Sequence, residues 1–383
     1  MTQLSAPLRV AYVLLRPPTY SETFIRSEIE FVRATGAAVE VFCARGEGEG
    51  ARARLGRSVR AVLTHPWTVL RHLRVLGPSY GVRALLASAY ALELSKQVRR
   101  FRPDVVHTHF VNLPTAVAVL VAETAGVPVT AHAHAADFLL ERRIPALHRR
   151  LRRLSHLFLI SNAAVDQLID LGVAMAEIPH SIVRASFDGS AAPTRPGTNG
   201  AVRLVTIGRL IDKKGIDVTV SAVGMLTGRQ RKVRYDVYGD GPNAGTLARQ
   251  VADAELTDVV QLHGKTHHAE AMAALADADV AVLACRRGPD GDTDGIPVFL
   301  MEAASRGVPV VTTSVSGIPE LVGEDGGWVV PVDDVASLAD AVEDVLRRPE
   351  EARARTRVLR RRVMTEFSPG LQAERLIATW SRL

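Results

Sequence analysis

Short continuous apolar runs alternate with stretches of helical periodicity almost throughout the chain. Such runs predict strands of parallel sheets that helices cover on both faces. The predicted strands of the first half are residues 8–15, 38–44, 105–109 and 127–132, with helices from residue 21 and near residues 80–101 and 115–125. Those of the second half are residues 202–207, 235–238, 259–262, 280–284, 308–313 and 328–330. This alternation predicts the α/β fold class.

A segment rich in Gly, Pro, Thr and Ser, residues 188–200, separates the two series of strands. The chain of 383 residues also exceeds the usual size of one hydrophobic core. We therefore predict two doubly wound, Rossmann-like domains at residues 1–190 and 191–366, followed by a last helix within residues 367–383. Because such sheets bind ligands at the carboxyl ends of their strands, we expect the site in a cleft that both domains face.

Hydrophobic residues make up 47% of the chain and charged residues 23%, as is typical of a globular protein. The two cysteines, Cys43 and Cys285, lie in apolar runs without metal-ligand spacing, so we expect buried thiols in a reducing cytoplasm. The pattern of a secretory signal is absent from the start of the sequence. No apolar run reaches the roughly 20 residues of a membrane-spanning helix. These features predict a cytoplasmic protein.

The charge of the chain is uneven. Residues 1–190 carry 23 Lys and Arg against 15 Asp and Glu, whereas residues 191–383 carry 24 against 26. The basic first half indicates contact with something anionic, and the arginines within residues 142–153 would suit peripheral binding at the inner membrane face. Alternatively, these arginines form a solvated helix face. Nucleic acid is not expected, because no basic motif is interleaved with aromatic residues.

The stretch GDTDGIPVFLMEAASRGVPVV, residues 291–311, holds two carboxylates eight positions apart, Asp294 and Glu302. Pro297 is compatible with a first helical turn and Gly307 with a left-handed helix end, which predicts a helix over residues 297–306. Asp294 then precedes the helix and Glu302 lies within it. The N–H groups at the helix start would bind a diphosphate. They belong to residues near Gly295, Ile296 and Val298.

Residues 290–295, DGDTDG, match the first half of a calcium-binding EF-hand loop. The match fails further along, because Met301 stands where the loop needs a glutamate and Pro297 removes a backbone donor. A divalent metal held by Asp290 and Asp292 beside a diphosphate stays open at this point. We assign no metal ligands.

In TIGRLIDKKGID, residues 206–217, Arg209 and Lys214 follow the end of a predicted strand. The planar guanidinium and the compact ammonium would together neutralise a diphosphate. The alternative is a surface loop with ordinary salt bridges.

Two histidine pairs end strands of the first half, His107 with His109 and His132 with His134, and Asp137 follows the second pair. Alternation along a strand places the members of each pair on one side. Four imidazoles raise the possibility of a zinc centre. The alternative is packing and hydrogen bonding beneath the cleft. The motif SETFI, residues 21–25, is compatible with a helix start. Its expected capping residue is Ser21 or Thr23.

Four motifs of the second half are GRLIDKKG at 208–215, YGDGP at 238–242, GIPVFLMEAASRGVPVV at 295–311 and SGIPE at 316–320. Together they resemble the retaining glycosyltransferases of the GT-B fold, family GT4. SETFI adds a closer likeness to the exopolysaccharide and colanic-acid branch. The resemblance covers nearly the whole chain and implies that the last helix crosses back onto the first domain. It departs at Asp294, where the family usually has Glu.

The resemblance implies transfer of a hexose from a nucleotide-diphosphate sugar, most simply a UDP-sugar, with retention of configuration and without a further cofactor or metal. The catalytic residues it implies are Arg209, Lys214, His134, Asp294 and Glu302. The implied donor-binding residues are Gly208, Arg209, Lys214, Gly239, Gly264, Lys265, Gly295, Ile296, Pro297, Val298 and Glu302. Candidates for the acceptor or sugar are Ser21, Glu22, Thr23, His109, His132 and Asp137.

The acceptor stays open between a small-molecule metabolite and a polyprenyl-linked sugar. Two other functions also stay open on the same architecture. One is a protein that binds a nucleotide sugar without transferring it. The other is a different enzyme, either a sugar-nucleotide epimerase or a phosphorylase with a lysine-bound pyridoxal cofactor.

Overall fold

The computed structural model describes residues 7–19, 22–45, 50–77, 80–185, 187 and 200–383 of the chain. The chain divides into two units, one formed by Met1–Ser186 together with Pro369–Leu383, the other by Phe187–Ser368. Within the described residues, no helix combines the length and the hydropathy that crossing a bilayer requires.

The first unit is a six-stranded parallel sheet with helices on both faces. Its strands are β1 (Arg9–Leu14), β2 (Ala38–Cys43), β3 (Val105–His109), β4 (Val129–Ala133), β5 (His156–Leu159) and β6 (His180–Ile182). Their order is β2-β1-β3-β4-β5-β6. The helices are α1 (Thr23–Ala34), α2 (Ala51–Thr64), α3 (Pro66–Leu76), α4 (Arg83–Phe101), α5 (Leu113–Ala125), α6 (Ala135–Leu139), α7 (Ile144–Leu151) and α8 (Asn162–Asp170).

The second unit repeats this design. Its strands are β7 (Val202–Ile207), β8 (Val233–Tyr238), β9 (Val260–Gly264), β10 (Val280–Leu283), β11 (Val310–Thr313) and β12 (Trp328–Val330). Its helices are α9 (Ile216–Gly228), α10 (Ala244–Asp253), α11 (His268–Ala276), α12 (Val298–Arg306), α13 (Ile318–Val322), α14 (Val335–Arg347) and α15 (Pro349–Glu366). The strand order is β12-β11-β10-β7-β8-β9. It reverses between β10 and β7, the point at which doubly wound sheets bind ligands.

The last helix, α16 (Pro369–Trp380), belongs to the first unit. Its buried Leu376 and Trp380 join an apolar cluster with residues of β1 and α1. The indole N–H of Trp380 donates to Thr130 Oγ1 on β4 at 2.9 Å. These contacts confirm the predicted return of the chain to the first domain, and the two sheets confirm the predicted α/β class.

Candidate functional site

Two glycines bring the loops after β7 and β8 into contact. Gly208 directly follows β7, and Gly239 directly follows β8 with a φ of 142°. A Cβ at position 239 would lie only 1.8 Å from the carbonyl oxygen of Gly208, so no other residue fits there without a backbone shift. The main chains that follow β7 and β8 are therefore in close contact, next to the point at which the strand order reverses.

Lys214 is placed by a second tight contact. It ends the short 3-10 turn Asp212–Lys214, and Gly215 follows in the left-handed conformation with a φ of 58°. A Cβ at position 215 would lie 1.8 Å from the carbonyl oxygen of Ala284, directly after β10. The side chain of Lys214 passes Gly208, because its Cε lies 3.5 Å from the position of a Cβ there. Lys214 thus lies between the ends of β7 and β10.

Asp294 holds the ammonium group of Lys214. Lys214 Nζ lies 2.6 Å from Asp294 Oδ2, and Lys213 Nζ lies 3.4 Å from Asp294 Oδ1. Burial raises the pKa of Asp294, but the two ammonium groups more than reverse this effect and lower the pKa to about 2. Burial lowers the pKa of Lys214, and the Asp294 carboxylate more than compensates and raises it above the ordinary value. Both partners are therefore charged at neutral pH.

Arg209 differs from Lys214 in its surroundings. It follows Gly208 at the end of β7 and is exposed. In the described part of the chain, no acidic side chain pairs with its guanidinium. Gly264 ends β9, the neighbour of β8, and the exposed Lys265 comes next. The carboxyl edge of this sheet therefore carries several positive charges, and the Lys214 charge is fixed by the carboxylate of Asp294.

Helix α12 begins at Val298 with Pro297 as its N-cap residue, and it ends at Arg306 with Gly307 as its C-cap residue at a φ of 76°. The predicted helix started one residue earlier. The N–H groups of its first turn have no partner within the helix, and its macrodipole favours an anion there. Gly295 and Ile296 immediately precede this end. Glu302 is buried on the same helix.

The side chain of Glu302 has a partner that the sequence did not indicate. Its Oε1 lies 3.2 Å from Nε2 of His268, the first residue of α11. A hydrogen bond between two helices so far apart in the sequence leaves no local pattern. The contact fixes one oxygen of the carboxylate.

Two acidic side chains of the loop at residues 290–295, Asp290 and Asp292, form polar contacts within the second unit. Asp292 Oδ2 lies 2.8 Å from Lys213 Nζ. Asp290 Oδ1 accepts a hydrogen bond from the backbone N–H of Asp292 at 3.0 Å. A strand rather than a helix precedes the loop, in agreement with the rejection of an EF-hand.

In the first unit, His134 and Asp137 form the start of α6, directly after β4. The backbone N–H of His134 donates to Asp137 Oδ1 at 3.0 Å, and the N–H of Val111 donates to Asp137 Oδ2 at 2.6 Å. Asp137 is buried and His134 half-buried. Asp137 therefore holds the loop that presents His134, and the sugar contact expected of Asp137 has no support in its surroundings.

His109 and His132 have no solvent-exposed surface, contrary to what a direct sugar contact requires. His109 Nε2 lies 3.0 Å from Glu28 Oε1, and His132 Nδ1 lies 3.1 Å from Glu28 Oε2. We therefore restrict the expected sugar contact among the histidines to His134. Glu28 was missed in the sequence analysis. The signal was its position beside Ile25 and Ile29 on the buried face of α1, where an unpaired acid would be unfavourable.

The start of α1 also differs from the prediction. Ser21 lies outside the described residues. Thr23 is the first helical residue and Glu22 the N-cap residue, so the proposed capping by Thr23 is wrong. The Glu22 carboxylate instead accepts from the N–H of Thr19 at 2.8 Å and lies 3.1 Å from a guanidinium nitrogen of Arg16.

Comparison with known proteins agrees with this architecture. Residues 21–179 match the family "Glycosyl transferase 4-like domain", and residues 201–348 match "Glycosyl transferases group 1". The proposed colanic acid biosynthesis glycosyltransferase WcaL of Escherichia coli (strain K12) is 31% identical over 368 residues, covering 87% of this chain and 89% of WcaL. The amylovoran biosynthesis glycosyltransferase AmsK of Erwinia amylovora is 32% identical over 190 residues, covering 49% of this chain and 47% of AmsK.

Among solved structures, Anabaena HepE in complex with UDP and glucose has a TM-score of 0.73 at 14% identity, with 98% of this chain and 100% of HepE covered. That likeness concerns the fold, which is the GT-B fold of glycosyltransferases. The chain belongs to the group 1 glycosyl transferases of family GT4.

Proposed function

We propose that the protein transfers a hexose from a UDP-sugar to a hydroxyl or amine of an acceptor with retention of anomeric configuration. The observation that carries the proposal is the Lys214 ammonium group, held 2.6 Å from Asp294 between the ends of β7 and β10. The fixed charge, Arg209 and the start of α12 suit a diphosphate. The UDP complex of HepE supports this choice of nucleotide.

In the proposed mechanism, the anomeric C–O bond lengthens and negative charge grows on the departing diphosphate. Lys214, Arg209 and the N–H groups near Gly295 stabilise that charge more as the bond breaks, which lowers the barrier. The acceptor attacks from the face that the diphosphate leaves, and a phosphate oxygen takes the acceptor proton. Configuration is retained and no protein nucleophile is needed. Side chains and the helix supply the counter-charge, so the step uses no metal or other cofactor.

The acids of the site take different roles in this proposal. Asp294 is one methylene shorter than the glutamate usual in the family, and it orients Lys214 rather than only binding sugar hydroxyls. Glu302, buried on α12 and held by His268, accepts from hydroxyls of the donor. His134 contacts the sugar, supported by its half-buried position at the start of α6.

Nucleotide release from a panel of UDP- and GDP-sugars, with candidate acceptors, tests this function. We expect turnover with one UDP-hexose and a product whose anomeric proton coupling in NMR matches that of the donor. An inverted product would refute the retaining mechanism. Tight nucleotide binding without turnover would favour the non-catalytic alternative.

For the acceptor, we propose a polyprenyl-linked sugar at an anionic membrane surface. The support comes from α2 and α3, which the sequence analysis did not predict as helices. Residues 51–92 contain seven arginines and no Asp or Glu. Leu63 and Trp67 are 76% and 81% exposed there. Apolar side chains among arginines are typical of helices that lie on anionic lipid. The matches to WcaL and AmsK agree with an acceptor in polysaccharide assembly.

One of the six arginines of residues 142–153, Arg150, does not support a membrane contact, whereas the other five are exposed. Arg150 is buried, pairs with Glu141 at 2.7 Å and donates to the carbonyl oxygen of Val111 at 2.9 Å. It therefore stabilises the fold around α7 and is not available to a lipid surface.

Sedimentation with vesicles tests the lipid surface. The wild type should bind vesicles of phosphatidylglycerol and phosphatidylcholine at low salt, and binding should fall with added salt. Leu63→Ser with Trp67→Ser should weaken binding by about tenfold or more, because two exposed apolar anchors are lost. Ile169→Ser, which removes an exposed apolar residue on α8, is the control and should bind as the wild type does. Equal binding by both variants, or none by the wild type, would contradict the proposal.

A further inference from the structure

Glu28 and three histidines converge inside the first unit. Glu28 comes from α1, His107 and His109 from β3, and His132 from β4, and all four side chains are buried. One ligand atom of each lies within 4.8 Å of the others. His107 Nε2, His109 Nε2 and His132 Nδ1 lie 3.5, 3.0 and 3.1 Å from the nearest Glu28 oxygen. The edges of a tetrahedral zinc site with bonds of about 2.1 Å measure roughly 3.4 Å.

In each of the three histidines, the ring nitrogen on the side opposite Glu28 has a hydrogen-bond partner of its own. His107 Nδ1 lies 2.8 Å from Thr130 Oγ1, and His109 Nδ1 lies 3.1 Å from His134 Nε2. His132 Nε2 lies 2.9 Å from the carbonyl oxygen of Val183. Metal-binding histidines nearly always have such a partner on the opposite nitrogen, because it fixes the tautomer and the ring orientation.

Among the described residues, the hydrogen-bond partners of the four side chains are incomplete on the side where these side chains meet. A carbonyl oxygen only accepts, so the Nε2–H of His132 donates to Val183, and Nδ1 of the same ring faces Glu28 Oε2. The contact between His132 Nδ1 and Glu28 needs a cation, which is either a proton on the ring nitrogen or a metal ion. His107 Nε2, although fully buried, also has no hydrogen-bond partner in the described part of the chain. With a proton on His132 Nδ1, His107 Nε2 keeps only its long 3.5 Å contact with Glu28 Oε1, whereas a metal ion would bind all four side chains.

We propose that Glu28, His107, His109 and His132 bind one divalent transition-metal ion. The set of three imidazoles and one carboxylate, without a thiolate, favours zinc. All four positions are filled by protein groups and none faces solvent, so the ion is structural and takes no part in sugar transfer. It ties α1 to β3 and β4. Thr130, the partner of His107, also accepts from Trp380, so the ion supports the docking of α16 as well.

The test uses the full chain without a histidine tag, expressed with added zinc and dialysed extensively. Elemental analysis should give roughly one zinc per chain, since the four ligands form one site. Because the site is closed, chelation should require unfolding. Protein refolded with a chelator should melt at a lower temperature than protein refolded with zinc. Refolding with cobalt(II) should give the visible absorption of tetrahedral cobalt.

Variants separate a metal site from a hydrogen-bonded network. Glu28→Gln and His107→Gln should retain about a tenth or less of the wild-type zinc content. His156→Gln on β5 is the control, because His156 contacts Ser181 outside the cluster, and it should retain zinc fully. If the wild type contains no zinc and melts at the same temperature with zinc or with a chelator, the proposal is wrong. This holds even where a variant fails to fold, because the wild-type measurement decides it.

Discussion

Lys214→Met is expected to lower kcat by about 10²- to 10³-fold, because it removes the charge that we propose stabilises the departing diphosphate. The variant should also lose roughly 2–3 kcal/mol of folding free energy, since the Asp294 carboxylate loses its nearest charged partner and keeps the more distant Lys213. Steady-state kinetics with the active donor and thermal melting measure the two effects. Lys232→Met, at an exposed lysine before β8, is the matched control and should change neither.

Arg209→Ala separates catalysis from stability. Arg209 is exposed and has no acidic partner in the described part of the chain, so its loss should lower kcat by about 10²-fold without changing the melting temperature. If both Lys214→Met and Arg209→Ala turn over donor at the wild-type rate, the proposed stabilisation of the diphosphate is refuted.

Gly215→Ala is the second substitution with a large expected effect. The new Cβ would lie 1.8 Å from the carbonyl oxygen of Ala284, and the left-handed backbone disfavours alanine. Strain and overpacking together should cost about 2–5 kcal/mol. Because the loop must move away from the end of β10, Lys214 should be displaced and kcat should fall more than the KM of the donor changes.

Gly245→Ala is the control for this substitution. A Cβ at position 245 meets no atom within 4 Å, and the residue lies within α10. Alanine suits a helix better than glycine, so stability should stay the same or rise slightly. Wild-type stability and kcat in Gly215→Ala would show that the tight contact at Ala284 does not position Lys214.

The sheets could be predicted because strands buried on both faces form apolar runs that are visible in the sequence. Glycine motifs likewise indicated the loops after β7 and β8. The ion pair of Lys214 with Asp294 could not be predicted, because it joins two loops that only the folded sheet brings together. The cluster around Glu28 could not be predicted for the same reason, because α1, β3 and β4 each supply part of it.

Sequence patterns did not predict which residues of the first unit are exposed at its surface. Arg150 lies in an arginine-rich stretch, yet packing around α7 buries it against Glu141. Helices α2 and α3 escaped prediction because their many arginines dilute the apolar positions, and because Leu63 and Trp67 are exposed rather than part of a core. Charge and exposure of single residues depend on tertiary contacts that composition does not contain.

We propose that a fixed positive charge in the second unit binds the diphosphate of the donor. Calorimetric titration of the wild type and of Lys214→Met, with UDP and uridine and with GDP and guanosine, tests this proposal directly. Lys214→Met should weaken binding of the diphosphate by about 10- to 100-fold, as loss of a charge-assisted contact predicts, and leave nucleoside binding unchanged. Equal affinity of both proteins for the diphosphate, or an equal loss for diphosphate and nucleoside, would contradict this assignment.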